Sequence, residues 1–102
     1  MAFDKSNLTL LSQGNGFGHY RYDTLDLHTA VDASGYIGAA ADQAAVDMLK
    51  VGDTILVVVW ATTVRTGTVA SYGTHIVVSN DGTNVDLSDV NQDDGAAIAD
   101  TD

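Results

Sequence analysis

A run of seven apolar residues, Ile55 to Ala61, lies within the segment DTILVVVWATTV (Asp53–Val64). A strand with one face in water alternates apolar and polar residues, and this segment does not alternate. Its β-branched residues and the preceding KVGD sequence favour a strand over a helix. The pattern therefore predicts a strand that is covered on both faces, in a chain of only 102 residues.

Further strands are predicted on both sides of this central strand. The segment HYRYDTLD (His19–Asp26) alternates, with Tyr20 and Tyr22 on one face and Arg21 on the other. The sequence NDG before the last strand predicts a tight turn. Three strands are predicted after the central one: Val64–Tyr72, Thr74–Ser79 and Thr83–Val90.

One helix is predicted, in AAADQAAVDMLK (Ala39–Lys50), because alanine favours helix and Gly52 follows closely. The sequential strands and this single helix together predict a mainly β fold. We expect a small antiparallel barrel or sandwich with one short helix and an extended N-terminal arm. Such a fold hides one face of the central strand. The second face is expected to be covered by the helix or, the interpretation we favour, by a neighbouring subunit.

The chain is predicted to divide into an N-terminal arm (1–18), a β-rich domain (19–90) and an acidic C-terminal tail (91–102). Alternate glycines from Gly14 to Gly18 weaken any regular element there. The arm is either a frayed terminus or a segment that orders on a partner, and its apolar side chains favour the second. Together with the central strand they form the predicted interface: Phe3, Leu8, Leu10, Leu11, Phe17, Ile55, Val57, Val59 and Trp60.

The charge balance excludes some classes of partner. Fourteen aspartates face two lysines and two arginines, giving a formal net charge of −10. Such a surface repels phosphate backbones and anionic lipid headgroups, so neither nucleic acid nor a membrane is expected as a partner. The sequence shows no secretory signal and no stretch of about 18 apolar residues.

No catalytic or cofactor-binding motif is found. His19, His28 and His75 lack the spacing of a helical metal pair, and the chain has no cysteine. The segment DVNQDDG (Asp89–Gly95) partly matches a calcium loop, but Asp94 stands where the loop needs glycine. No GxSxG nucleophile elbow occurs. We therefore expect a protein that is not an enzyme and that carries no cofactor or resident metal.

The sequence resembles small structural proteins encoded in the head modules of tailed bacteriophages. The likeness extends over most of the chain as a loose pattern, interrupted by an Ala-rich run that departs from it. It rests on an opening MAF…NL arm, an aromatic strand, a VDASGYI segment, MLKVGDTILVVV and a closing DTD, at Met1–Leu8, His19–Asp26, Val31–Ile37, Met48–Val59 and Asp100–Asp102.

The resemblance implies a capsid decoration or cement protein, made in the host cytoplasm and located on the outer surface of the virion. Its implied partners are the major capsid protein and further copies of itself, most simply as a homotrimer. Two alternatives remain open. One is a receptor-binding, spike or tail-tip module, and the other is a small calcium- or sugar-binding domain.

Overall fold

Six strands form one mixed sheet in the computed structural model, which describes residues 3–14 and 16–89. The order across the sheet is β1-β2-β4-β5-β6-β3. The predicted mainly β class is confirmed, and within these residues the sheet stays open, with β1 and β3 at its edges. In chain order the strands are β1 (Leu8–Gly14), β2 (Phe17–Thr24), β3 (Ile37–Gly38), β4 (Thr54–Trp60), β5 (Val69–Asn80) and β6 (Asn84–Leu87).

The connection from β2 to β4 departs from the predicted sequential antiparallel arrangement. These strands run parallel, with His19 opposite Thr54 and Thr24 opposite Val59. A parallel pair needs a long crossover, and residues 25–53 provide one that contains both helices and β3. All the other strand pairs of the sheet are antiparallel.

The crossover contains α1 (His28–Val31) and α2 (Ala39–Met48), and a 3₁₀ turn, Lys5–Asn7, precedes β1. The predicted helix matches α2, but Asp42 has an extended backbone inside it. The Asp42 carboxylate accepts a hydrogen bond from the Ala45 amide at 3.2 Å. Asp42 therefore acts as an N-cap for the turns that follow it, a role that short polar side chains favour.

Strand β5 corrects the prediction of two strands, Val64–Tyr72 and Thr74–Ser79. The structure has one strand of 12 residues, because Gly73 stays in the ladder opposite Val57. The first five residues of the predicted segment instead belong to the loop 61–68, where Arg65 has a φ of 69°. That loop returns the chain toward the end of β4.

The core lies on one face of the sheet, which we call the inner face. The face of β4 formed by Ile55, Val57 and Val59 points into it. Helix α2 contributes Ala45 and Val46, and Leu49 follows directly after the helix. The remaining buried members are Phe3, Tyr20, Tyr22, Val31, Ile37, Val77, Val85 and Leu87. The helices therefore cover the inner face of β4.

A buried carboxylate fixes the entry to β4. Asp53 accepts hydrogen bonds from the backbone amides of Gly18 and Lys50, each at 2.9 Å. These bonds fasten the turn before β4 to the start of β2. Gly52 in this turn has a φ of 96°, a conformation that side-chain-bearing residues rarely adopt.

Candidate interaction surfaces

Four of the predicted interface residues lie inside the chain's own core. Ile55, Val57 and Val59 are buried under the helices, and Phe3 packs against the same cluster. The interface prediction is corrected for these four, because the chain itself supplies their cover. The sequence predicts that the fold hides one face of β4, and the inner face is the one that the chain itself covers.

Phe3 packs in an aromatic cluster, and a chain of hydrogen bonds begins at the next residue, Asp4. The Phe3 ring lies 5.2 Å from that of Tyr22 and 6.0 Å from that of Tyr36. The Asp4 amide donates to the Tyr22 hydroxyl at 3.1 Å, and the Tyr36 hydroxyl donates to Asp26 at 2.6 Å. The hydroxyls lie 2.8 Å apart, and since Tyr36 gives its proton to Asp26, Tyr22 donates to Tyr36. Residues 3 and 4 are thus fastened to the domain.

This network also keeps Tyr36 protonated. Burial raises the pKa of Tyr36, and the hydrogen bonds with Asp26 and Tyr22 raise it further. A neutral Tyr36 donates to the Asp26 carboxylate, whose own exposure is small. The network is a fixed structural connection between the N-terminal residues and the crossover.

A second set of predicted interface residues is exposed, and we call it the edge surface: Leu10, Leu11 and Phe17. Their exposed fractions are 48%, 50% and 53%. Leu10 and Leu11 lie on β1, which pairs with β2 on one side and ends the sheet on the other. A register shift between Leu10 and Ser12 marks a bulge in this strand, and Leu8 packs partly against the core.

The opposite side of the central sheet, which we call the outer face, is only partly covered. It contains Leu56, Val58 and Trp60 of β4 and their neighbours Tyr72 and Ile76 of β5. Val58 is buried, Leu56 and Trp60 are half-buried, and Tyr72 and Ile76 are exposed. Among the described residues, no helix packs on this face; the helix that the sequence offers as a cover for β4 lies on the inner face.

A charged cluster is set into the outer face. The buried Asp23 carboxylate accepts hydrogen bonds from Arg21 Nη2 and Trp60 Nε1, both at 3.0 Å, and Arg65 Nε lies 3.4 Å from it. Burial alone would raise the pKa of Asp23. The hydrogen bonds from Arg21 and Trp60, with the charges of the two arginines, outweigh burial and hold this pKa below its usual value. We call Arg21 and Arg65 the arginine pair.

A histidine pair joins α1 to β5. His75 Nδ1 lies 2.7 Å from the Ser88 carbonyl oxygen, which can only accept, so Nδ1 carries the proton. In the neutral pair, His75 Nε2 then accepts from His28 Nδ1 at 2.9 Å. His28 Nε2 remains a buried acceptor with no partner among the described residues. Burial, and then the neighbouring His75, lower the pKa of His28 to about 4.

Three carboxylates lie together near this pair, and we call Asp32, Asp86 and Asp89 the acidic cluster. Burial raises the pKa of Asp32, and the charges of Asp89 and Asp86 raise it further. The ion pairs between described residues both involve Asp23 and neither includes a member of the acidic cluster. His75 acts on Asp32 in the opposite direction from the two aspartates and lowers its pKa.

The described residues contain no group of three His or Asp side chains arranged to hold a metal ion. No helix in residues 3–14 and 16–89 has the length and hydropathy to cross a membrane. The predicted calcium-like loop lies outside the described residues, apart from Asp89. The candidate functional features of the described residues are the edge surface and the outer face.

Comparison of the chain with protein-family models, curated proteins and solved structures returns no match.

Proposed function

We propose that this chain is a virion structural protein that decorates the outside of a capsid and attaches to the major capsid protein through the edge surface. The observation that carries the proposal is strand β1: seven residues at the end of the sheet, none of them charged, with Leu10 and Leu11 about half exposed. The phage setting comes from the sequence resemblance. A trimer remains the expected oligomer.

An edge strand offers unpaired main-chain groups to another chain. Soluble proteins usually protect such an edge with charges, proline or very short strands. Strand β1 has neither charge nor proline, and its bulge is the one protective feature. A strand or loop of the capsid protein that pairs with β1 would also cover Leu10 and Leu11, and Phe17 lies at the end of the hairpin where β2 begins.

The distribution of charge favours this edge as the attachment site. Between Lys5 and Arg21 the chain has no aspartate, lysine or arginine, although its net charge is −10. An acidic partner that approaches β1 is repelled by fewer carboxylates than one that approaches the aspartate-bearing loops. Apolar burial and main-chain hydrogen bonds therefore hold the contact, and ion pairs contribute little.

The test uses phage heads purified without this chain and measures co-sedimentation of the added protein. The double variant Leu10→Ser/Leu11→Ser is expected to bind at least about tenfold more weakly, because it removes both exposed leucines. Leu27→Ser is the matched control, since Leu27 is an exposed leucine outside the edge surface. Equal binding by the wild-type chain and the double variant would contradict the proposal.

Salt gives a second readout of the same contact. Because residues 8–14 carry no charge, head binding is expected to persist or strengthen from about 0.05 M to about 0.5 M salt, where screening also reduces the repulsion due to the acidic surface. A steep loss of binding over this range would show that ion pairs hold the chain to the head. Attachment through the edge surface would then be the wrong account.

A further inference from the structure

We propose that the acidic tail (91–102) binds the outer face of its own chain, with its aspartates at the arginine pair. This contact goes beyond attachment to a capsid, because it forms within one purified chain and uses a different surface from the edge surface. It would cover apolar side chains that the outer face exposes and would neutralise the positive charge next to them.

The arginine pair is only partly matched by negative charge. Arg21 and Arg65 both make their ion pair with Asp23, so the three groups together carry a charge of +1. Asp4 also acts on Arg65, but from beyond ion-pair distance. The two arginine side chains are 39% and 48% exposed, and each guanidinium has five N–H donors, so both retain donors for a further carboxylate.

Apolar side chains lie next to this charge on the outer face. Leu56 lies opposite Arg21 where β2 pairs with β4, and residues that lie opposite each other share a face of the sheet. On the neighbouring strand, Tyr72 and Ile76 are 42% and 41% exposed. A carboxylate that binds among such groups is partly removed from water, so its attraction to arginine is screened less than on an open surface. The outer face therefore fits an acidic segment that also has apolar side chains.

The acidic tail has this composition. Its sequence, NQDDGAAIADTD, contains four aspartates, no lysine or arginine, and one apolar run, Ala96–Ala99. Ile98 and Asp100 are two residues apart, so an extended tail directs both side chains to the same side. One apolar and one acidic side chain would therefore meet the outer face together.

The described chain ends beside β5, within reach of the outer face. The Ser88 amide donates to the Ile76 carbonyl at 2.8 Å, and Ser88 Oγ accepts from the Ile76 amide at 3.0 Å. Asp89 follows, close to Asp32 of the crossover. The distance along the outer face from Ile76 to Trp60 is about 20 Å, and an extended tail spans about 40 Å. The tail is therefore long enough to reach the arginine pair.

The side of β5 that the tail must cross has no strand on it among the described residues. Strand β6 pairs with Val77–Asn80, whereas Val69–Gly73 have a strand partner only in β4. A short tether also holds the tail at a millimolar effective concentration next to this surface. Binding to its own chain is therefore favoured over binding to a second copy.

The test uses the purified full chain, which has one tryptophan and no cysteine. A quencher of indole fluorescence is attached to Ala97→Cys, and the fluorescence lifetimes of Trp60 give the ratio of quenched to unquenched molecules. Ala44→Cys with the same label is the matched control, because Ala44 is exposed on α2, the helix that covers the inner face. Quenching is expected from position 97 and not from position 44.

Charge variants of the labelled chain test whether the arginine pair holds the tail, each compared with the same variant without the label. Arg65→Gln and Asp100→Asn are each expected to lower the quenched-to-unquenched ratio by about fivefold, through the loss of one partly screened ion pair. Lys50→Gln and Asp47→Asn make the same changes of net charge elsewhere, and their ratios should stay within about twofold of the unsubstituted chain.

The ratio should not depend on protein concentration or on added unlabelled chain, because the contact lies within one chain. Equal quenching from positions 97 and 44, or equal ratios for Arg65→Gln and Lys50→Gln, would overturn the proposal. A ratio that falls on dilution or on addition of unlabelled chain would also overturn it, since the tail would then bind a second copy. None of these results would affect attachment through the edge surface, which is measured on phage heads.

Discussion

The two faces of β4 have nearly the same composition and different surroundings. On the inner face, Ile55 is 1% exposed and Val57 is fully buried beneath residues from α2 and the N-terminal segment. On the outer face, no helix among the described residues covers Leu56, and Val58 lies opposite Asp23, which binds Arg21, Arg65 and Trp60. An apolar run therefore reveals that both faces avoid water, but it does not reveal what covers each of them.

The comparison can be tested most strongly with one substitution on each face. Ile55→Ala is expected to reduce the free energy of unfolding by about 4 kcal/mol, because the buried side chain leaves a cavity. Ile76→Ala, at a position that is 41% exposed on the neighbouring strand, should reduce it by less than about 1 kcal/mol. Urea unfolding of both variants measures the difference. Equal losses would mean that the outer face is as well packed as the inner one.

The N-terminal segment provides a second matched pair. Phe3→Ala is expected to destabilise the fold by about 3 kcal/mol, because Phe3 is only 7% exposed and packs on Tyr22 and Tyr36. Phe17→Ala should change stability by less than about 1 kcal/mol and should reduce head binding, since Phe17 belongs to the edge surface. Thermal unfolding measured beside co-sedimentation separates the two effects. A Phe3→Ala variant with wild-type stability would show that the arm is independent of the domain.

The pH dependence of stability tests the crossover that covers the inner face. The pKa of His28 is lowered to about 4 in the folded protein, so the unfolded chain binds this proton first. The contribution of neutral His28 to the free energy of unfolding is complete above about pH 6.5. At most about 3 kcal/mol of stability is lost as the pH falls toward 4. His28→Gln should flatten that part of the stability curve, measured by urea unfolding at each pH. An unchanged acid slope in this variant would contradict the buried neutral pair.

The smallest expected effect concerns the polar cluster on the outer face. Asp23→Asn keeps an acceptor for Trp60 Nε1 but removes the charge that Arg21 and Arg65 share. The free energy of unfolding should fall by about 1 kcal/mol, because both arginines are substantially solvated. Trp60 is the only tryptophan, so its fluorescence reports both unfolding and any change around the cluster. If Asp23→Asn reduced the free energy of unfolding by nearly as much as Ile55→Ala does, the cluster would stabilise the fold as strongly as the core residues do.

Local sequence patterns were sufficient for β2, β4 and α2, but not for β5, which was predicted as two strands. The alternation in β2 and the apolar run in β4 placed both within about two residues, and the Ala-rich segment placed α2. The parallel pairing of β2 with β4 could not be obtained in this way, because it depends on how residues 25–53 cross the sheet. The elements α1 and β3 have four and two residues, too few for a periodic pattern.

The candidate surfaces were predicted only in part. Exposure of Leu10, Leu11 and Phe17 agrees with a segment of apolar residues next to glycines, but the burial of Phe3 depends on tyrosines that are distant in sequence. The arginine pair was missed because Arg21, Asp23 and Arg65 meet only after β2 and β4 align. The alternation of Tyr72, Thr74 and Ile76 along β5 was the available signal for the outer face.

The central claim is that this chain decorates a capsid, with β1 toward the shell. A cryo-electron microscopy reconstruction of heads that carry the chain tests it most directly. The account predicts hundreds of copies on the head exterior, with Leu10 and Leu11 at the capsid protein. A handful of copies at a tail tip, or copies on the head with β1 facing solvent, would contradict it.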